Sequence, residues 1–155
     1  MVRLDKIVTK AGDGGTVTVL LSDGAGGYAP STVSVGVHPK GIVAVDINSD
    51  GKLDLAVASQ SGNQAVLLLG DGKGAFAAAA NFATGATATG VAAADVSGDG
   101  KLDLLVANYG GSDVSLLLGD GKGAFAAATS IKAGTQPTWV AVGDLSGDEI
   151  GRAHV

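Results

Sequence analysis

The sequence lacks cysteine altogether and is poor in the other residues that usually carry catalysis. Its 155 residues include two histidines and one glutamate, Glu149. Without cysteine, neither a disulfide framework nor a CxxC zinc or redox site can form. His38 precedes Pro39, which favours a turn, and no base is paired with a nucleophilic side chain in the sequence. We therefore predict that the chain is not an enzyme and has no catalytic residues.

Clustered positive charge and long apolar runs are also missing. Ten Lys and Arg residues are scattered singly against fifteen acidic residues, giving a net charge of −5 and a pI near 4.7. Nucleic acid and anionic membranes are therefore poor partners. No apolar run approaches the roughly 18 residues that span a bilayer, and the residues after Met1 lack the apolar segment of a signal peptide. We expect no membrane insertion.

Proline is scarce as well, with three residues, but glycine is abundant, with 26. No GXY period is present, which excludes a collagen-like chain and indicates many tight turns. The hydrophobic content of 46% is enough for a buried core. Together these features predict an all-β protein of short strands joined by turns.

A repeat with a period of 49 residues organises the chain. The segment GDGKGAFAAA at residues 70–79 recurs at 119–128, and DGKLDL at 50–55 recurs at 99–104. Within one period we predict four strands, at 41–47, 53–59, 65–70 and 75–83. The third strand is apolar throughout, as expected between two neighbouring sheets. This pattern is typical of four-stranded antiparallel β-propeller blades, about three of them in an incomplete ring; a flat stacked solenoid is the alternative.

Residues 1–148 are interpreted as a single repeat region that begins and ends inside a repeat. A degenerate copy at 20–28 aligns with 68–76 one residue out of step, and partial loops lie at 1–5 and 144–148. Residues 149–155, EIGRAHV, match nothing upstream and resemble the translation of an adaptor oligonucleotide. We expect this segment to be a non-native tail and exclude it from functional reasoning.

Two loops carry the spacing of a metal site. Residues 46–54 read DxNxDGxxD and residues 95–103 read DxSxDGxxD. Calcium takes six to eight oxygen ligands, and glycine at the sixth position permits the sharp turn that brings such oxygens together. We predict ligands at positions 1, 3, 5, 7 (through the carbonyl) and 9, with three more in the partial third loop: Asp46, Asn48, Asp50, Lys52, Asp54, Asp95, Ser97, Asp99, Lys101, Asp103, Asp144, Ser146 and Asp148.

The loop residues fit other kinds of site less well. An EF-hand needs a glutamate at position 12, where the chain has Val57 and Val106. Zinc prefers nitrogen and sulfur ligands, and magnesium tolerates an all-protein cage poorly. Plain Asp-Gly hairpin turns remain the alternative to calcium. The glycine-rich segment GDGKG at 70–74 resembles a phosphate-binding loop. However, no Ser or Thr follows its lysine, and the segment joins two predicted strands instead of opening a helix. We therefore predict a hairpin turn.

The loop motif, the VLLLG strand and the GDGKGAF turn resemble the FG-GAP or VCBS-type repeat of integrin alpha-chain propellers and of many bacterial secreted or surface proteins. The Phe-Gly pair itself is absent. This resemblance spans nearly the whole chain up to Asp148. It implies calcium-bearing propeller blades, usually seven to a ring, and an extracellular or cell-surface location. Further blades of the parent chain would then be needed to close the ring.

Two functions follow as expectations. The first is a non-catalytic, calcium-stabilised structural or adhesion module whose propeller face presents a surface to a protein or glycan ligand. The alternative is a blade segment of a propeller lectin or polysaccharide-active enzyme whose active site lies outside this sequence. Trp139 precedes a predicted strand at 140–142 and is expected to pack between blades, with a sugar-stacking role as the alternative.

Overall fold

The computed structural model describes residues 6–10 and 15–143, with side chains described from Gly15 onward. The predicted partial loops, the third metal set (Asp144, Ser146 and Asp148) and the tail at 149–155 lie outside the described residues. The described residues contain eleven strands: β1 (Lys6–Lys10), β2 (Thr16–Ser22), β3 (Tyr28–Ser34), β4 (Pro39–Val45), β5 (Asp54–Ser59), β6 (Gln64–Leu68), β7 (Ala80–Ala83), β8 (Ala88–Ala94), β9 (Asp103–Asn108), β10 (Asp113–Leu117) and β11 (Thr129–Lys132).

The strands form three antiparallel sheets in which each strand pairs with its neighbours in sequence. The sheets are β1-β2-β3, β4-β5-β6-β7 and β8-β9-β10-β11, here called sheets 1, 2 and 3. Sheets 2 and 3 have the predicted four strands, whereas three are described in sheet 1. The predicted all-β array of antiparallel blades in an unclosed ring is confirmed. No helix in the described part of the chain is long and apolar enough to cross a membrane.

The core consists of two apolar clusters, one on each face of sheet 2. Side chains alternate along β5, so that Leu55 and Val57 join β2 residues of sheet 1, while Ala56 and Ala58 join β8 and β9 residues of sheet 3. Every residue of β5 is buried. Sheet 2 is therefore sandwiched between its neighbours, which explains why its inner strands, β5 and β6, lack a solvent-exposed polar face.

Sheet 3 differs because only one of its faces is covered within the described residues. In β10, Leu117 is buried against sheet 2, whereas Leu116 on the other face is half-buried and the following Leu118 is 44% exposed. The apolar third strand is buried from Ala65 to Leu68, as predicted for a strand between two sheets, whereas its copy at 114–118 is buried only in part. A repeat pattern specifies the strand, but burial also depends on which sheets stand beside it.

Two strand predictions need correction. The fourth strand begins at Ala80 rather than residue 75, because Phe76 makes only an isolated bridge to Gly70 and the alanines at 77–79 are exposed. Small exposed side chains offer no cross-strand packing to extend the ladder. No strand forms at 140–142, and Trp139 is 62% exposed rather than packed between sheets.

Candidate metal loops

The two predicted metal loops lie at one edge of the array. Each joins the first strand of a sheet to the second: residues 46–53 between β4 and β5, and residues 95–102 between β8 and β9. The strands on both sides belong to the packed core, so the loop ends are held by the sheet. The loops therefore occupy equivalent positions on neighbouring blades.

In the first loop, the backbone turns around the Asp46 carboxylate, which accepts two backbone hydrogen bonds. Its Oδ1 accepts a hydrogen bond from the Asp50 amide at 3.0 Å and its Oδ2 accepts one from the Gly51 amide at 2.8 Å. Asn48 Oδ1 accepts a second bond from the Asp50 amide at 3.1 Å, and Asp50 Oδ1 accepts one from the Lys52 amide at 2.9 Å. Such side-chain to backbone bonds impose the turn that the aspartate spacing predicts.

The second loop repeats this arrangement. Asp95 Oδ1 accepts hydrogen bonds from the amides of Gly98 at 2.7 Å and Asp99 at 3.2 Å, and Asp95 Oδ2 accepts one from the Gly100 amide at 2.8 Å. Ser97 donates its hydroxyl to Asp95 Oδ1 at 3.4 Å. The third-position side chain thus has a different role in this loop, because Asn48 accepts from the backbone while Ser97 donates to a carboxylate.

The ninth-position aspartates, Asp54 and Asp103, are fully buried. Asp54 Oδ2 accepts from the Ile47 amide at 3.0 Å, and its Oδ1 accepts from the Gly70 amide at 2.8 Å. In the second loop, Asp103 Oδ2 accepts from the Val96 amide at 3.1 Å, and Asp103 Oδ1 accepts from the Gly119 amide at 2.9 Å. Each carboxylate therefore ties the start of its loop to the end of the third strand. This role was not predicted from the sequence, although an aspartate at the start of a buried apolar strand was its signal.

A lysine covers each fifth-position carboxylate. Lys52 Nζ lies 3.1 Å from Asp50 Oδ2, and Lys101 Nζ lies 2.9 Å from Asp99 Oδ2. The lysine hydrogen bond is the main cause that lowers the pKa of both aspartates, and the Asp99 carboxylate raises the pKa of Lys101. These pairs are exposed, so they add little stability. They do place a cation beside a carboxylate that is a predicted metal ligand in each loop.

The donor set suits a hard cation. Every proposed ligand is a carboxylate, amide, hydroxyl or carbonyl oxygen, the donors that calcium prefers. An ionised carboxylate has about four acceptor sites, so Asp46 and Asp54 retain lone pairs beside their backbone bonds. Within residues 15–143, no group of three or more Asp, Glu, His or Cys side chains is arranged to hold a metal ion. The calcium ligand set stays a prediction that the donor chemistry fits.

The Gly-Asp-Gly-Lys-Gly segments form the predicted hairpin turns. Asp71 Oδ1 accepts hydrogen bonds from the amides of Lys73 at 2.7 Å and Ala75 at 3.0 Å, and Asp120 makes the same pair in the next repeat. Asp23 makes equivalent bonds at 2.7 and 2.9 Å in the degenerate copy. The shifted alignment of residues 20–28 therefore identifies a turn with the same geometry.

One side-chain contact, between His38 and Ser61, was not predicted from the sequence. His38 Nδ1 lies 2.6 Å from the Ser61 hydroxyl, at the opposite edge of sheet 2 from the metal loops. In the part of the chain that the structure describes, no carboxylate bonds to the other ring nitrogen, as the orienting group of a nucleophilic triad would. Proximity of residues 38 and 61 follows from strand pairing and was not apparent from either local sequence.

Comparison with known proteins agrees with this architecture. The model of the FG-GAP-like repeat family matches residues 46–106 and again residues 95–150. The two matches together span both complete loops and the seven strands from β5 to β11. Among curated proteins, none matches the chain. Because the matches cover more than half of the sequence, the chain belongs to the FG-GAP-like repeat family.

Proposed function

We propose that the chain is a non-catalytic, calcium-binding β-propeller repeat module with a structural or adhesion role at an extracellular or cell-surface location. The observation that carries this proposal is the recurrence, on neighbouring blades, of one loop geometry. In both loops the first-position carboxylate, Asp46 or Asp95, binds the backbone amides of positions 5 and 6. This organisation supports a built metal loop over an incidental Asp-Gly turn.

The first loop would hold calcium through Asp46, Asn48, Asp50, the Lys52 carbonyl and Asp54. The second would use Asp95, Ser97, Asp99, the Lys101 carbonyl and Asp103. A bound calcium ion would supply positive charge to three carboxylates. In the structure, the ammonium groups of Lys52 and Lys101 form ion pairs with Asp50 and Asp99 and so provide part of this positive charge. Metal binding would therefore compete with these two ion pairs.

Family membership and the loop chemistry support the location and the role. Calcium sites of extracellular modules work at dissociation constants of about 10⁻⁴ to 10⁻³ M, where weak, partly exposed loops are sufficient. Repetition of the same residues on successive blades favours a scaffold over a single active centre. Further blades of the parent chain, and a protein or glycan ligand on a propeller face, are the partners that this function requires.

The absence of catalysis is part of the same proposal. The His38–Ser61 pair is the arrangement closest to a base and nucleophile among the described residues, and it lacks an orienting carboxylate. Incubation of the purified chain with polysaccharide and ester substrates should give no turnover. Turnover that Ser61→Ala abolishes would contradict this part of the proposal.

Thermal unfolding in calcium, magnesium and chelator tests the metal assignment. Calcium should raise the melting temperature by an amount that grows with its free concentration, because only the folded loop gathers the ligands. Magnesium at the same concentration should raise it much less. Equal melting temperatures in chelator and in millimolar calcium would contradict the proposal.

A further inference from the structure

A pocket lies between sheets 2 and 3 at the edge opposite the metal loops, where β4 and β8 begin. Its volume is about 360 Å³, within the range of roughly 300 to 1,000 Å³ typical of small-molecule sites. It is lined by an exposed aromatic pair, three hydroxyl or amide side chains and one cation: Tyr109, Trp139, Gln60, Thr89, Thr138 and Lys40. The pocket is distinct from both loops that the proposed function uses.

The lining residues occupy equivalent positions in successive repeats. Lys40, Thr89 and Thr138 share one position at the spacing of 49 residues, and Gln60 and Tyr109 share another. The side chain differs between Lys40 and Thr89 and between Gln60 and Tyr109, whereas Thr89 and Thr138 are the same. The pocket wall is therefore built from two equivalent positions of successive repeats, together with Trp139.

The backbone that presents these side chains is the same in both repeats. The Gln60 amide donates to the His38 carbonyl at 3.0 Å, and the Tyr109 amide donates to the Thr87 carbonyl at 2.9 Å. His38 and Thr87 also share a positive φ, 54° and 61°. The frame therefore repeats, and only the side chains it displays differ.

Both aromatic side chains of the pocket wall are exposed to solvent. Trp139 is 62% exposed and Tyr109 is 37% exposed. The indole lies directly on Gly90, where an added Cβ would come within 3.2 Å of ring atom Cε3. The missing Cβ of Gly90 thus leaves room for Trp139 beside the backbone, while much of the side chain remains open to solvent. Large exposed aromatics of this kind mark binding surfaces.

The polar groups of the wall suit a ligand rich in hydroxyls. Within the described residues, Lys40, Gln60 and Thr138 have no hydrogen-bond or ion-pair partner for their side chains, whereas the Thr89 hydroxyl donates to backbone carbonyls at 3.1 and 3.3 Å and can still accept. No carboxylate lines the pocket. A pyranose ring offers an apolar C–H face to an aromatic ring and hydroxyls to the surrounding donors and acceptors.

We propose that this pocket binds one pyranose ring of a glycan, with the C–H face of the sugar on Trp139 and Tyr109 beside its edge. Gln60, Thr89 and Thr138 would bond the hydroxyls. Lys40 is the only ionised group in the wall, so a ring that carries a carboxylate, as in a uronic acid, binds more tightly than its neutral counterpart.

Intrinsic fluorescence tests the proposal directly because Trp139 is the only tryptophan in the sequence. The full chain is titrated with methyl glycosides of glucuronic and galacturonic acid and with those of glucose and galactose. We expect a saturable change in tryptophan emission with a dissociation constant of about 1 mM, tighter for the acids. Binding should persist in chelator at a temperature where circular dichroism shows the chain folded, which separates this site from the metal loops.

Calorimetry on variants assigns the residues. Trp139→Ala should weaken binding about tenfold or more, Trp139→Phe should retain most of it, and Lys40→Ala should reduce the preference for the acids. Tyr28→Ala is the control, because Tyr28 is 52% exposed on sheet 1 and does not line the pocket. Lack of saturable binding by all four glycosides, or equal affinity of Trp139→Ala and wild type, would overturn the proposal. Equal affinity for acids and neutral sugars would overturn the role of Lys40.

Discussion

At the residue scale, the aspartates of one motif divide into two environments. Asp50 is exposed and Asp46 is half-buried, while Asp54 is fully buried and bonds two backbone amides. The spacing of all three could be read from the sequence. The buried role could not, because it depends on Gly70, which strand pairing brings to Asp54 from 16 residues away.

Replacement of the buried aspartate tests this division. Asp54→Ala leaves the amides of Ile47 and Gly70 without partners in the core, and we expect a loss of about 3 kcal/mol in the free energy of unfolding. Asp50→Ala, on the exposed side of the same loop, should cost less than about 1 kcal/mol. Urea unfolding in chelator measures both without any contribution from metal. Equal losses for the two variants would show that Asp54 does not tie the loop to the sheet.

At the element scale, turn chemistry was the most predictable feature. The hairpins at 70–76 and 119–125 form as their Gly-Asp-Gly-Lys-Gly segments predict, with φ of 75° at Gly72 and 73° at Gly121. Strand ends were less predictable. The alanines at 77–79 were predicted to belong to the fourth strand, but they are exposed and lie outside it. Local sequence specifies where a chain turns better than how far a strand extends.

The aspartates of the two hairpins should also make the stability of the folded chain depend on pH. Backbone hydrogen bonds, first from Lys73 and then from Ala75, lower the pKa of Asp71 below 3.8, and those from Lys122 and Ala124 do so for Asp120. A pKa that is lower in the folded state stabilises the fold above the unfolded pKa, and that contribution is lost as the pH falls through the folded value. Melting temperatures from pH 7 to 2 should therefore fall less steeply for Asp71→Asn with Asp120→Asn than for wild type. Parallel curves would contradict this.

At the scale of the whole molecule, stacking of sheets decides which copies of a residue are buried. Leu67 packs in the cluster between sheets 2 and 3, while its repeat equivalent, Leu116, faces no described sheet. The repeat period predicted the stack of blades and its order. It could not predict the unequal burial of identical positions, because that follows from the neighbours of each sheet and not from the residues themselves.

The two leucines provide a matched pair. Leu67→Ala should lower the free energy of unfolding by about 3 kcal/mol, because it opens a cavity in a packed core. Leu116→Ala should cost less than half as much, because its site is already partly solvated. Denaturant unfolding of both variants in the same buffer measures the difference. Equal losses would indicate that the outer face of sheet 3 is covered as fully as that of sheet 2.

The central claim, that the paired loops hold calcium, is tested most directly by calorimetric titration of calcium into wild type and two double variants. Asp50→Ala with Asp99→Ala removes a predicted ligand from each loop, whereas Asp71→Ala with Asp120→Ala removes an equal charge from the hairpins. We predict calcium binding by wild type and the hairpin variant, with the loop of Ser97 weaker than that of Asn48, and at least about tenfold weaker binding by the loop variant. Equal loss of calcium affinity in the two variants, or no binding by wild type, would contradict the account.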